Sequence, residues 1–332
     1  MDIKSFPKVE LHLHLDGSIR IDTACELSGL NKSKVKKMLV AKQKCQNLAD
    51  YLQKFDLPNQ LMQSQENLTR IAKELVEDLK KDNVIYAEVR FAPLLHMKKG
   101  LTEEEVVEAV LLGLKDEDLQ VNLILCMMRQ FSFEDNLKTI ELASKYLNKG
   151  VVALDLAGDE ASYKTADFKE LFKIINKKGL PFTIHAGEAD GKNSLLSAIE
   201  FGAKRIGHGV RCIEDEEILD LIYQNNITLE VCPTSNIQTN TFKNYQDHPI
   251  KKLYDSGLMV TVNTDNRTVS NITLTEEYAK LIKYFSFNIE DFKKMNVNAI
   301  KNAFVSNDLK DKYQSIISNF KTTINKLDSI NN

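Results

Sequence analysis

The amino-acid sequence predicts an α/β fold, a (β/α)8 barrel with extra helices between strands 1 and 2 and at the C-terminus. Short apolar, β-branched runs alternate with longer amphipathic stretches, which is the pattern of βα units around a parallel sheet. There are eight such runs, the number of strands that closes this barrel. They are VELHLHL from Val9, VIYAEVRFAP from Val84, VNLILCMMR from Val121, VVALDLAG from Val151, PFTIHAGE from Pro181, RIGHGV from Arg205, ITLEVCP from Ile227 and LMVTVNTD from Leu258.

The length and composition fit one large globular domain. The chain has 332 residues, of which 43% are hydrophobic and 27% charged, and barrels of about 250 residues or more fold around a single core. No Gly/Ser-rich linker or repeat divides the sequence, so we expect one domain over residues 1–332. The main departure from a plain barrel is an insertion of about residues 21–81, with helical periodicity in LADYLQKF and LTRIAKELVEDL. Residues 275–285 and 289–304 are predicted to be the closing helices.

The charge balance and the cysteines exclude several classes of protein. Lys and Arg total 44 against 47 Asp and Glu, so the basic excess typical of nucleic-acid binding is missing. No apolar run is long enough to cross a bilayer and the first residues have no apolar leader, so we expect a cytoplasmic protein without a membrane partner. The five cysteines are scattered without a C-x-x-C pair, which favours reduced core residues. Nothing in the sequence predicts an oligomeric state.

Four of the six histidines fall at the ends of predicted strands. His12 and His14 are two apart on the first strand and therefore point to one face; alone, such a pair fits a metal site or hydrogen-bonded core residues equally well. His185 ends the fifth run and His208 the sixth, while Asp265 closes the eighth. Barrel active sites form where strand ends converge, so these residues are expected to meet. The remaining two, His96 and His248, lie in predicted loops and are expected on the surface.

Three imidazoles and one carboxylate suit a catalytic Zn²⁺ that keeps one position open for water. We predict one zinc ion per chain, held by His12, His14, His185 and Asp265. His208 is then free to orient or deprotonate the water. Glu188, three residues beyond His185, is a candidate proton donor, although a loop glutamate on its own is usually only solvated.

The strand-end motifs together resemble those of the adenosine deaminases in the metal-dependent hydrolase superfamily. The resemblance spans about residues 6–304 and includes HLHLDGS from His12, LDLAGDE from Leu154, HAGE from His185, IGHG from Ile206, CPTSN from Cys232 and NTDN from Asn263. It implies hydrolytic deamination of adenosine, and of 2′-deoxyadenosine, to inosine and ammonia in purine salvage, by attack of zinc-activated hydroxide on C6 of the purine.

The resemblance also implies roles for single residues. Glu188 would protonate N1 and His208 would position the hydroxide and stabilise its charge, while Asp265 would be both ligand and proton acceptor. The substrate contacts would be His14, Asp16 at a ribose hydroxyl, the backbone N–H of Gly158 at N3, and Asn266 at N7. The insertion would form a lid through Leu48, Tyr51, Leu52 and Phe55, a stripe that core packing explains equally well.

The chain departs from the family pattern at Asn266, where many members carry a second aspartate. Because purine N7 only accepts hydrogen bonds, an amide NH₂ can serve it without a change of pKa. Arg90, Ser235 and Asn236 also fall in family motifs, and we expect them to make structural hydrogen bonds beneath the barrel mouth.

Three alternatives to an adenosine deaminase remain. The same zinc chemistry could act on adenine, or on a modified adenine nucleoside or nucleotide. A two-metal amide or ester hydrolase usually needs a lysine on the fourth strand, which VVALDLAG lacks. A barrel that only binds a nucleoside is disfavoured, because all four predicted ligands and the candidate acid are present.

Overall fold

The computed structural model describes residues 3–321 and contains the eight predicted strands. Residues 1–2 and 322–332 of the predicted single domain lie outside the described part, and the one-domain assignment stays a prediction. The strands are β1 (Lys8–His14), β2 (Val84–Phe91), β3 (Gln120–Met128), β4 (Val151–Ala157), β5 (Ile184–Ala186), β6 (Arg205–His208), β7 (Thr228–Val231) and β8 (Met259–Val262).

The strands form two parallel sheets of four, in the orders β1-β2-β3-β4 and β5-β6-β7-β8. Single parallel bridges join the two sheets at both seams, Leu154 with Phe182 and Leu13 with Asp265. At the second seam the backbone N–H of His14 donates to the carbonyl of Asp265, at 2.7 Å. The predicted (β/α)8 architecture is confirmed, and this seam places the end of β1 directly beside the end of β8.

Strands β5 to β8 are only three or four residues long, shorter than the predicted runs. The chain leaves the extended conformation where its site residues begin: His208 has φ 59° and Asp265 has φ 61°. Non-glycine residues rarely adopt this left-handed region, and positions strained in this way are enriched at functional sites. The strand ends are therefore bent so as to present side chains at the barrel mouth.

The described helices surround the barrel and fill the insertion. Most begin with a side-chain cap; Ser64, for example, accepts a hydrogen bond from the N–H of Asn67 at the start of the longest insertion helix. The helices are α1 (Ile21–Ser28), α2 (Lys32–Leu39), α3 (Leu48–Leu52), α4 (Asp56–Leu61), α5 (Gln65–Lys81), α6 (Glu103–Leu114), α7 (Phe133–Tyr146), α8 (Lys169–Lys178), α9 (Lys192–Glu200), α10 (Glu216–Gln224), α11 (Pro233–Gln238), α12 (Ile250–Asp255), α13 (Leu274–Phe285), α14 (Ile289–Asn302) and α15 (Asn307–Asn319).

The barrel interior contains a continuous network of buried charges. Arg205 pairs with Glu88 at 2.5 Å and with Glu230 at 2.6 Å, and Arg90 pairs with Glu230 at 2.8 Å and with Asp155 at 2.9 Å. All five side chains have no exposed surface. Buried charges persist only when paired in this way, and the network ends on Asp155 and Glu230, which face the predicted ligands.

All five cysteines are free, and four of them are buried, as predicted. Within residues 3–321, no helix combines the length and apolar character that a membrane span requires.

Candidate active site

Strand β1 brings His12 and His14 to the barrel mouth on one face, where Asp265 meets them across the seam. His12 Nε2 lies 3.4 Å and His14 Nε2 3.5 Å from Oδ1 of Asp265. Nε2 of His14 lies 3.2 Å from Nε2 of His185. Two ligand atoms about 2.1 Å from a tetrahedral zinc ion are roughly 3.4 Å apart, so the spacing of these groups fits zinc coordination.

The donor chemistry of the cluster also fits a metal. Nε2 of His12 is buried without a hydrogen-bond partner among the described residues, a costly state that a bound cation would relieve. Burial, with the positive charge of Arg90, lowers the pKa of His12 to about 4. His12 is therefore neutral near pH 7, as a metal ligand must be.

Two carboxylates behind the cluster orient the imidazoles. Glu230 lies 2.9 Å from Nδ1 of His12, and Asp155 lies 2.9 Å from Nδ1 of His185. Although burial opposes ionisation, the interaction with His185 and the positive charge of Arg90 hold the pKa of Asp155 below its usual range. Both carboxylates keep the proton of their histidine on Nδ1 and aim the Nε2 lone pair at the cluster.

Sequence reasoning assigned no role to Asp155 or Glu230. The available signal was a charged residue inside an otherwise apolar predicted strand, LDL in β4 and LEV in β7. Such a residue is buried at a cost unless it is paired, so its presence indicates a polar partner inside the barrel.

A second grouping of side chains competes with the predicted ligand set. The ligand atoms of His12, His185, His208 and Asp265 all lie within 4.8 Å of one another, and this set contains His208 in place of His14. We favour His14, because its Nε2 lies within 3.5 Å of both His185 and Asp265. Nε2 of His208 instead lies 3.5 Å from Oε2 of Glu188.

The carboxyl group of Glu188 lies beside the cluster and is only slightly exposed. Oε1 accepts the hydroxyl of Thr239 at 3.0 Å, and Oε2 lies 3.5 Å from Nε2 of His208. Burial, together with the negative charges of Asp265 and Glu160, raises the pKa of Glu188 above its ordinary value. A carboxyl group that keeps its proton at higher pH is suited to act as a general acid.

Glu160 holds the loop that carries Glu188. Its carboxylate accepts the backbone N–H groups of residues 187–190 at 2.6 to 3.1 Å and the hydroxyl of Ser194 at 2.5 Å. These five donors satisfy the oxygens of a carboxylate that is 2% exposed and offset its loss of solvation. Sequence reasoning missed this role, although Glu160 is the last residue of the LDLAGDE motif.

A cavity of about 240 Å³ opens in front of the cluster. One wall is apolar and comes from the insertion, through Leu48, Tyr51, Leu52 and Phe55. Eight of the nine predicted site residues line the cavity, and the ninth, His12, is fully buried behind it. The eight are His14, Asp16, Gly158, His185, Glu188, His208, Asp265 and Asn266.

Two glycines allow close approach at this cavity. Gly158 has φ +108°, and a Cβ there would lie 2.7 Å from Oε1 of Gln130. A Cβ on Gly17 would lie 1.8 Å from Oδ1 of Asn266. Any side chain at either position would displace the polar residue beside it. Asn266 itself donates to the hydroxyl of Tyr51 at 3.1 Å, so a polar contact joins the insertion to the barrel.

The predicted surface positions of His96 and His248 are wrong. His96 is fully buried, with Nδ1 3.0 Å from the carbonyl of Met62. His248 is 3% exposed and hydrogen-bonds to Asn236. Both loops fold inward because a neighbouring segment supplies a polar partner, which local sequence does not reveal.

Asn236 and Ser235 make hydrogen bonds beneath the barrel mouth, as predicted. Their partners are themselves predicted site residues. Ser235 donates to Oδ2 of Asp265 at 2.5 Å. Nδ2 of Asn236 lies 3.0 Å from His208 and 3.4 Å from Oε1 of Glu188. The PTSN motif at the start of α11 therefore positions three of the predicted functional side chains.

The model of the adenosine deaminase family matches residues 7–320 of the chain. The chain belongs to the adenosine deaminase family. Among curated relatives, the adenosine deaminase of Clostridium perfringens strain SM101 is 44% identical over 325 residues, which cover 94% of this chain and 98% of that protein. The resemblance predicted from the sequence motifs is confirmed.

Solved structures of other deaminases share the fold of this adenosine deaminase family member. The arabidopsis N6-mAMP deaminase has a TM-score of 0.85 and 27% identity, covering 95% of this chain and 98% of that one. The adenine deaminase of Arthrobacter aurescens has a TM-score of 0.85 and 22% identity, covering 94% and 98%. These solved structures share one barrel although their names give different adenine-containing substrates, so the fold alone does not decide the substrate.

Proposed function

We propose that the protein is a zinc-dependent adenosine deaminase that converts adenosine and 2′-deoxyadenosine to inosine and ammonia. The observation that carries the proposal is the buried histidine and aspartate cluster with Glu188 beside it at one cavity. Family membership supports a hydrolase acting on a C–N bond. We infer a cytoplasmic role in purine salvage, since the product inosine retains the purine nucleoside.

His12, His14, His185 and Asp265 would hold one zinc ion per chain. When bound, zinc lowers the pKa of a coordinated water to near 7 and so supplies hydroxide at neutral pH. Asp155 and Glu230 support this assignment, because they fix the orientation of His185 and His12.

The protein's own side chains would then carry the proton transfers. Glu188 gives its proton to N1 of the purine, which weakens the aromatic ring and makes C6 electrophilic. Asp265 accepts a proton from the attacking water, and Ser235 holds the other carboxylate oxygen in place. His208 faces the same point from β6 and stabilises the developing negative charge.

The substrate contacts follow from the lining of the cavity. The N–H of Gly158 is assigned to N3 and the NH₂ of Asn266 to N7. Asp16 is assigned to a ribose hydroxyl, with His14 next to it. The carboxylate of Asp16 has no cationic partner within the described residues, and burial raises its pKa to about 7. A ribose hydroxyl would satisfy this carboxyl group in either protonation state.

The insertion is assigned as a lid. The apolar stripe of α3 and the residues after it lines the cavity, with Leu48 and Tyr51 both less than a tenth exposed. An apolar cover excludes water and strengthens the electrostatic interactions beneath it. We therefore assign residues 21–81 as a helical lid within one domain.

The charge of the cavity favours a nucleoside over a nucleotide. Among its described lining residues there is no lysine or arginine, whereas Asp16 and Asp56 are both present. A 5′-phosphate would meet carboxylates without a cation to bind it. The second candidate function, deamination of a nucleotide or of free adenine, rests on the solved relatives named for such substrates.

The experiment is to follow the ultraviolet change on deamination by the zinc-loaded protein. Adenosine, 2′-deoxyadenosine, AMP, N6-methyl-AMP and adenine are compared at equal concentration. We expect the two nucleosides to be converted with kcat/KM about 10- to 100-fold above the other three, since a buried polar group left unpaired costs about 1–3 kcal/mol. A fully zinc-loaded protein that leaves adenosine unchanged contradicts the proposal.

Asp155→Asn is expected to weaken zinc binding about 10- to 100-fold, the usual effect of losing the hydrogen-bond partner of a metal-ligating histidine. The amide can no longer attract the Nδ1 proton of His185 with a full charge, and it also leaves Arg90 with one carboxylate fewer. Zinc affinity is measured by competition with a chelator. Asp159→Asn is the matched control, because the Asp159 carboxylate accepts hydrogen bonds from residues 161–162 of its own turn and lies outside the histidine and aspartate cluster. Equal losses in both variants would contradict the role of Asp155.

A further inference from the structure

A chain of three hydrogen bonds connects the backbone of α12 to His208. The N–H of Ile250 donates to Nδ1 of His248 at 3.2 Å. Nε2 of His248 lies 3.2 Å from Oδ1 of Asn236, and Nδ2 of Asn236 lies 3.0 Å from Nδ1 of His208. The three side chains are 3% exposed or less, so water does not compete for these bonds.

The direction of every bond in the chain follows from its first donor. A backbone N–H can only donate, so Nδ1 of His248 carries a lone pair. Burial, with the nearby His208 adding to it, lowers the pKa of His248 to about 3, so the ring is neutral and its one proton is on Nε2. That proton is donated to Oδ1 of Asn236. The NH₂ group of Asn236 therefore faces His208 and can only donate.

Glu188 supports the same orientation of the Asn236 amide. Its Oε1 lies 3.4 Å from Nδ2 of Asn236 and also accepts the hydroxyl of Thr239. The reversed amide would place an oxygen beside Oε1 of Glu188, which already acts as an acceptor for Thr239, and would place its NH₂ against the N–H of His248. Both contacts would be unfavourable.

We propose that His248 and Asn236 hold His208 as the tautomer that carries its proton on Nε2, so that His208 donates a hydrogen bond into the active site and does not act as a base. His248 and Asn236 are positioning residues that act through His208. The role of His208 in catalysis rests on the proposed deamination. The position of its ring proton does not depend on that function.

This tautomer of His208 has two consequences for the site. A protonated Nε2 cannot coordinate a metal, which favours His14 over His208 as the fourth ligand. The proton that the attacking water loses goes to a carboxylate, and Asp265 is placed to accept it. His208 is left to stabilise negative charge on the attacking oxygen, the role of a fixed hydrogen-bond donor.

The direct test is ¹⁵N NMR of the histidine rings in the zinc-loaded wild-type protein. We expect the His208 ring to show a protonated Nε2 and an unprotonated Nδ1 at neutral pH. A protonated Nδ1 overturns the proposal. Adenosine turnover by the same sample tests the proposed function separately, so the two failures are distinguishable.

Two substitutions move the tautomer in stated directions. His248→Phe keeps an aromatic ring but removes the donor to Asn236, so we expect a mixture of tautomers at His208. We expect kcat to fall by about tenfold, the smaller of the effects usual for loss of an outer hydrogen-bond partner. Asn236→Asp replaces the NH₂ by an acceptor, and we expect the proton to move to Nδ1. An unchanged tautomer in either variant contradicts the proposal.

Two further variants separate this effect from a general loss of structure. His248→Gln keeps an N–H near the position of Nε2 and is expected to restore the wild-type tautomer and most of kcat. His96→Phe is the matched control, because His96 is a buried histidine that takes no part in this chain of hydrogen bonds. It is expected to leave the NMR signals of the His208 ring unchanged. Zinc content and KM are expected to stay within about twofold in His248→Phe, where only a bond behind His208 is lost. A signal change at His208 in His96→Phe as large as that in His248→Phe overturns the proposal.

Discussion

Glu188→Gln is expected to lower kcat by about 10²- to 10⁴-fold, the range for removal of a general acid. The amide keeps the size of the side chain and can still accept the hydroxyl of Thr239, but it has no proton to transfer to N1. Zinc content and affinity for the product inosine are expected to stay near wild type. The rate is followed by the ultraviolet change from adenosine to inosine.

The control for this variant is Glu217→Gln, an exposed glutamate on α10 whose carboxylate pairs with Lys192 at 2.7 Å. It undergoes the same chemical change away from the site and is expected to retain wild-type kcat. If Glu188→Gln turned over adenosine at the wild-type rate, the proton would have to come from another group.

The pH dependence should report the same side chain. Because burial raises the pKa of Glu188, the protonated form persists to higher pH than for an exposed glutamate, and turnover is lost as pH rises through that raised value. The fall of kcat on the alkaline side is therefore expected at a pH above the ordinary pKa of a glutamate. The residual activity of Glu188→Gln is expected to lack that fall.

His12→Ala is expected to reduce bound zinc from one ion per chain to a small fraction after dialysis, and to reduce turnover in proportion. The substitution removes a predicted coordinating atom and the imidazole that Glu230 contacts, so the loss should exceed the 10- to 100-fold effect of an outer hydrogen-bond partner. Zinc is measured by elemental analysis, and turnover is measured before and after zinc is added back.

His96→Ala is the matched control, since it removes a buried imidazole that lies outside the cluster. It is expected to keep one zinc ion per chain even if it melts at a lower temperature. Wild-type protein stripped by a chelator should lose turnover and regain it with zinc. Full zinc occupancy in His12→Ala would contradict the assigned ligand set.

Much of the barrel and its chemistry could be read from local patterns. Each strand is a short apolar run bounded by polar residues, so all eight were recognisable without knowledge of their partners. The predicted ligands His12, His14, His185 and Asp265 stand at strand ends, and parallel strands in a barrel end at one face. Their convergence follows from topology and needs no side-chain detail.

Tertiary structure alone decided which residues hold these groups in place. Asp155 and Glu230 became partners of His185 and His12 only when β4 and β7 placed them on the interior face. His248 was expected on the surface, yet the fold brings it to Asn236 and so to His208. A hydrogen bond between residues distant in sequence depends on positions accurate to a fraction of an ångström, and no local periodicity encodes them. The sequence by itself determined the architecture and the candidate ligand residues at the barrel mouth, whereas the packing of loops onto the barrel decided which hydrogen-bond partners hold them.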